Sequence, residues 1–218
     1  MKKLNIIFIA LIFGLFFTGC IKLRVDNPEI KYYDISNEES VPVSKKYVDC
    51  SLQIRTFTLP AKQSADRILV TEDGAVTPLY YHRWLSGFDE LVSDYIFVRF
   101  TKSQTFRGGV LNARTMQSPN YTLEGSIIEH STINDTKSKT EPYYIRLTIG
   151  IALIKRDSKT GTVNSILTKE YTEKIARTNS EAAGIHLAYE TALTKITDQM
   201  LMDIITMVEK DKEQLLNK

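Results

Sequence analysis

Apolar and polar residues change their period several times along this 218-residue chain, and each change marks an element. The clearest stretch runs from Tyr143 to Leu153. Its odd positions are Tyr143, Ile145, Leu147, Ile149, Ile151 and Leu153, while Arg146, Thr148 and Gly150 face the other way. Alternation with period two is the mark of a strand with one buried face. Tyr121 to Glu129 follows the same rule, with Tyr121, Leu123 and Ile127 on one side and Gly125 between them. Ile166 to Ala176 places Leu167, Tyr171 and Ile175 together, and Asp157-Ser158-Lys159-Thr160-Gly161 reads as the loop of a hairpin before it. Upstream, Arg67 to Thr71 and Ala75 to Tyr81 flank Glu72-Asp73-Gly74, where Asp-Gly supplies the positive φ of a tight hairpin turn. Leu52 to Leu59 alternates imperfectly and stops at Pro60, and Ile30 to Ile35 is a first short strand, rich in aromatic and β-branched residues. The polar run from Ser36 to Lys46, with Pro42, reads as a loop.

Two stretches have helical spacing instead. Trp84, Phe88, Leu91 and Tyr95 recur at intervals of four, three and four, which predicts a helix from about Trp84 to Val98, with Leu85 and Val92 widening its apolar face. Thr178-Asn179-Ser180-Glu181 has the spacing of a capping box. After it Ile185, Tyr189, Ala192, Leu193, Ile196, Met200 and Ile204 form a stripe that persists to about Val208, before the charged run Glu209 to Lys218. Strands interrupted by one helix and closed by another predict an α+β domain: a mainly antiparallel sheet with two principal helices on one face, the second a long C-terminal helix.

The N-terminus has a different character. Lys2 and Lys3 precede an almost unbroken apolar run from Ile6 to Phe17. Twelve residues in helical form span only about 18 Å, short for a bilayer and right for the apolar part of a secretory signal. Thr18-Gly19-Cys20 resembles the lipobox of bacterial lipoproteins, whose cysteine takes a diacylglyceryl group and an N-acyl chain such as palmitate after cleavage. The resemblance implies a signal peptide over residues 1–19, a lipidated N-terminus and tether over 20–29, and one domain over 30–218. An uncleaved anchor, or a plain signal with an incidental cysteine, is the alternative.

Cleavage at that point changes the charge. The whole chain carries 28 basic and 26 acidic residues; losing Lys2 and Lys3 leaves 26 of each. A formally neutral chain of 199 residues lacks the basic face that nucleic acid demands and is long enough for one core. Cys20 is consumed by lipid, so Cys50 stands alone, expected as a small buried side chain and not as half of a disulfide.

Candidate chemistry is sparse. His82, His130 and His186 fall on different predicted elements without ligand spacing, so no metal site is expected. There is no G-x-S-x-G elbow, no H-E-x-x-H and no phosphate-binding glycine loop. Arg107-Gly108-Gly109 reads as a turn, Trp84 as core, and Asp89, Glu90 and Asp94 as a solvated helix face. No catalytic or cofactor-binding residue is assigned, and a non-enzymatic protein is expected. Cys20, the lipid attachment site, is the single site residue.

Several segments taken together resemble the ABC-type transport auxiliary lipoprotein component family, the PqiC-like lipoproteins that accompany MCE lipid-transport systems. They are the lipobox at Cys20, Tyr32-Tyr33-Asp34-Ile35, Leu59-Pro60, Arg67-Ile68-Leu69-Val70 and Tyr80-Tyr81-His82-Arg83-Trp84-Leu85. Tyr121-Thr122-Leu123-Glu124-Gly125, the strand at Tyr143 and the terminal helix follow in the same order. The resemblance spans residues 20 to 208. It implies an envelope lipoprotein facing the periplasm, partnered by an MCE-domain protein and ABC transporter subunits that move phospholipid or another apolar lipid. Ile21, where aspartate would favour inner-membrane retention, favours the outer membrane. Open strand edges and tyrosine-rich surfaces leave room for a homo-oligomer. An envelope-assembly or apolar-ligand-binding lipoprotein without an MCE partner is the alternative function.

Overall fold

A computed structural model describes residues 28–36, 41, 46–60, 66–156 and 160–216. The elements are β1 (Lys31–Tyr33), β2 (Leu52–Ile54), β3 (Arg67–Glu72), β4 (Ala75–Trp84), α1 (Phe88–Ser103), β5 (Val110–Leu111), β6 (Tyr121–Asn134), β7 (Tyr143–Arg156), β8 (Val163–Ala176) and α2 (Ala183–Leu216). The class is α+β as expected, and the sheet is mixed. Antiparallel pairings join β3 to β4, β6 to β7 and β7 to β8. Four shorter pairings, β1 with β4, β2 with β5, and β2 and β3 with β6, are parallel.

β6 is the strand on which this topology turns. One edge carries β7 along its whole length, while the other is divided between β2 at Tyr121–Leu123 and β3 at Thr132–Asn134. Where the sheet forks, Phe57 fills the gap: a Cβ on Gly125 would stand 2.1 Å from its ring, so only glycine lets ring and strand approach this closely. The Phe57 amide donates to Ser93 Oγ of α1 at 2.9 Å, which ties the fork to the helix.

The β3–β4 hairpin turns on Asp73 and Gly74, with φ of 48° and 88°, the two positive values a type I′ turn requires. Further along it loses register. Arg67 pairs with Arg83 and Leu69 with Pro78, so five steps on β4 oppose two on β3 and Tyr80 and Tyr81 are extruded. β6 has a smaller irregularity between Ile127 and Glu129, and β8 one opposite Leu153 and Ile154.

Both helices cover one face. The inward residues Leu123, Ile127, Ile145, Leu147, Ile149, Leu153 and Tyr171 join Phe88, Val92, Ile96 and Phe100 of α1 in a single buried cluster. Ile185, Tyr189, Leu193, Ile196, Met200 and Ile204 of α2 complete it. Full burial of each large apolar side chain contributes about 1.5–3 kcal/mol. α1 begins at Phe88, four residues later than the spacing predicts. Trp84 remains in β4, where it pairs with Tyr33, and Gly87 takes an extended ψ of 135° as the N-cap. Leu85, expected on the helix face, is therefore exposed. α2 also starts later than expected: Asn179 Oδ1, not Thr178, accepts the Glu181 amide, at 3.1 Å. Its 34 residues extend about 51 Å.

Polar clamps fix α2. Arg99 of α1 is buried and grips Asp198 with two bonds of 2.9 and 3.0 Å. Asp203 accepts from Tyr171 and Lys169 at 2.8 and 2.7 Å, and Asp211 from Tyr121 and Lys155 at 2.6 and 2.5 Å. Each aspartate thus receives one tyrosine and one lysine from the strands, and both carboxyls are held below the ordinary aspartate value. Their burial acts the other way, and the donated bonds overcome it.

Candidate functional site

β1 has only three residues, yet it places Tyr33 between two distant elements. Its parallel register sets Tyr33 beside Trp84 and Lys31 beside His82. The Tyr33 hydroxyl lies 2.8 Å from His82 Nδ1, and the two rings stack with centroids 5.7 Å apart. His186, near the start of α2, leans on the same tyrosine at 5.2 Å. Burial raises the Tyr33 pKa, so the phenol stays protonated; when it donates to Nδ1, His82 is left with its proton on Nε2. His186 is pushed below its usual pKa, chiefly by burial, and its Nδ1 has no protein partner.

Tyr33 and His186 of this stack form one wall of a groove of about 800 Å³ between β1 and α2. Tyr32, Asp34, Leu187, Glu190, Thr194 and Lys195 are among the residues that line the rest. The groove offers aromatic and imidazole faces, two carboxylates, the Lys195 ammonium and an exposed leucine. That inventory suits docking of an amphipathic group by stacking, hydrogen bonding and apolar contact.

The other residues singled out from sequence scatter. His130 stacks on Phe88 at 4.7 Å, with both ring nitrogens buried and unpartnered, and burial lowers its pKa to about 4. Thus His82 and His186 share a tyrosine while His130 faces the core under α1. Among the described residues no group of three or more histidine, cysteine, aspartate or glutamate side chains could hold a metal ion. Cys50 is a free, buried thiol whose pKa burial pushes up to about 11, so it packs as a small apolar side chain. Trp84 lies in the core against Phe88 and Tyr189. Glu90 and Asp94 are exposed on α1 and Asp89 is half-buried. Gly108 and Gly109 make a turn, where a Cβ on Gly108 would strike the Cys50–Ser51 backbone at 2.6 Å. Cys20 lies outside the described residues, as do the Ser36–Lys46 loop in large part and residues 157–159 of the β7–β8 connection.

Sequence reasoning missed the Tyr33–His82–His186 stack. The available signal was the aromatic density of Tyr32-Tyr33 and Tyr80-Tyr81-His82, which nothing in the periodicity joined.

No family model matches the chain, and no curated protein matches it in sequence. Solved structures do. A Xanthomonas campestris protein assigned to the DUF330 family aligns with a TM-score of 0.70 at 14% identity, covering 84% of this chain and 99% of that one. The fold is the DUF330 fold. An uncharacterized protein aligns at 0.60 and 9% identity over 81% of this chain and 99% of its own. A hypothetical protein from Chlamydia trachomatis aligns at 0.51 and 9%, covering 74% and 98%. Each likeness includes nearly the whole of the neighbour, so the shared architecture is the complete domain and not a fragment of sheet. At these identities the likeness concerns fold alone.

Proposed function

We propose that the chain is a membrane-anchored, non-enzymatic auxiliary lipoprotein of an ABC/MCE-type transport system that moves lipids across the bacterial envelope. The observation that carries the reading is the end-to-end likeness to the DUF330 structure, whose PqiC-like fold is that of the family the sequence resembles. The lipobox at Cys20 supplies the anchor, and Ile21 directs the lipoprotein to the outer membrane facing the periplasm. Its partners are an MCE-domain protein and the permease and ATPase of the transporter, with self-association through open strand edges as a second mode. Lipid needs such an escort because each exposed CH₂ costs about 0.8 kcal/mol in water.

The test is crosslinking in intact cells, purification of the tagged chain and mass spectrometry of what comes with it. Recovery of an MCE-domain protein with permease or ATPase is expected. An abundant chain that brings down other envelope complexes and no MCE component would overturn the transport reading in favour of envelope assembly.

A further inference from the structure

Six large apolar or aromatic residues, Ile30, Tyr32, Tyr80, Tyr81, Leu85 and Leu187, are each 40–68% exposed, and they make up half of the twelve such residues in the described chain. They gather at one edge of the fold. The Leu85 amide donates to the Tyr33 carbonyl at 2.8 Å, and Tyr32 and Leu187 line the same groove. Ile30 and Tyr81 stand one residue upstream of the Lys31–His82 pair. Tyr80 and Tyr81 reach solvent because of the three additional residues in β4, so the exposure is built into the strand register. Lys31 and Arg83 border the patch, Arg83 paired with Asp66 at 3.4 Å, and Asp34 and Glu190 lie in the groove beside Tyr32 and Leu187.

We propose that this edge rests on the phospholipid surface of the membrane that holds the chain, with the tyrosines and leucines in the headgroup–acyl boundary. The proposal depends on the anchoring of Cys20. The described chain begins at Pro28, two residues before Ile30 in the patch, and Ile30 lies only ten positions after Cys20. Fully extended they reach about 35 Å, and any compaction brings the edge nearer. Tyrosine suits that depth, with an apolar ring and a polar tip, and lysine and arginine beside it face headgroup phosphates. A protein partner would be reached by any face of the domain, whereas the tether favours this one.

The full lipidated chain is reconstituted into vesicles of phosphatidylethanolamine and phosphatidylglycerol, with nitroxide labels at Tyr80→Cys, Leu85→Cys and, as control, Met116→Cys. Met116 is exposed and lies before β6, at the end away from the β3–β4 hairpin. Buried Cys50 does not compete for label. The ratio of oxygen to nickel-chelate accessibility is expected to be several-fold higher at positions 80 and 85 than at 116. Equal ratios at all three positions would overturn the docking, and so would dipolar coupling between labels at 80 on two chains, which assigns the patch to a second copy. Mass spectrometry of the N-terminal peptide separates the two premises: with lipid on Cys20 and equal ratios only the docking falls, while without that lipid the anchoring falls and takes the docking with it.

Discussion

His130 makes acid stability a direct readout of the core. Both ring nitrogens are buried without partners, the ring lies on Phe88, and burial depresses its pKa from 6.5 to about 4. A depressed imidazole binds its proton less readily in the folded than in the unfolded chain, so falling pH favours unfolding. The effect is negligible at pH 7.5 and reaches about 0.4 kcal/mol at pH 6.5. Between 6.5 and 4 the folded state loses ground, by about 1.4 kcal/mol at pH 5.5 and about 2.6 kcal/mol at pH 4.5, approaching a limit of about 3.4 kcal/mol. Replacing the imidazole with His130→Phe, which keeps a ring against Phe88, or with His130→Leu removes that dependence. The assay is urea unfolding at pH 7.5, 5.5 and 4.5. Subtraction of each variant from the parent cancels His186 and the carboxylates, which titrate alike in both. The difference should grow by roughly 2 to 3 kcal/mol from pH 7.5 to 4.5, in favour of the variants. Parallel pH profiles for parent and both variants would refute a buried neutral His130.

The tyrosine–lysine clamps on α2 give a second acid limb. Asp211→Asn and Asp203→Asn should each lower stability at neutral pH by about 1–3 kcal/mol, less at the more exposed Asp203. Because both carboxyls are held low, their stabilisation is present above the ordinary aspartate value and lost as pH falls through the lower folded one, so the parent's advantage over each variant should vanish in that range. Gly125→Ala drives a methyl into the Phe57 ring and should cost about 1–3 kcal/mol, with much of the loss recovered in a Gly125→Ala/Phe57→Leu double variant; a strictly additive double-mutant cycle would dismiss the contact. The purified lipidated chain should carry no stoichiometric non-covalent lipid in native mass spectrometry, and a retained phospholipid at one per chain would point to a carrier role.

How legible the fold was depended on whether a strand stayed in register. β7 keeps one parity from Tyr143 to Leu153, and its inward residues Ile145 to Leu153 are all buried. β6 does not. Its irregularity after Ile127 moves the inward set from Tyr121, Leu123 and Ile127 to Thr132 and Asn134, so alternation ends at Glu129 in sequence while the strand continues to Asn134. Trp84 illustrates the reverse error: its spacing to Phe88 fits a helix, yet it closes β4, because four residues of mixed strand and turn happen to equal one helical interval. The stripe of α2 was readable because its apolar positions Ile185, Tyr189, Leu193, Ile196, Met200, Ile204 and Val208 all meet the same core. The Tyr33–His82–His186 stack was not, since it draws on β1, β4 and α2 across 49 residues in one case and many more in the other. Period and propensity describe single elements; a parallel pairing three residues long leaves no trace in either. The Cys20 assignment rests on its motif alone and lies outside the described residues.

The division between a sealed interior and a busy edge bears on what such a domain can do with lipid. Phe88, Leu123, Ile127, Leu147, Ile196 and Met200 are fully buried where the helices meet the sheet, so the apolar volume of the domain is occupied by its own side chains. An acyl chain of fourteen or so carbons would need roughly as much apolar lining as these residues already cover in one another. The described grooves are open and mixed in character, lined by groups such as Arg55, Glu124 and Lys169 on the sheet face and Asp34 and Glu190 beside β1. Polar walls in contact with water do not hold an extended hydrocarbon. Among the described residues, half of the exposed large apolar side chains gather at the rim that holds Ile30, Tyr32, Tyr80, Tyr81, Leu85 and Leu187. Under the function proposed above, that rim is where the domain would meet a bilayer or seat a conduit.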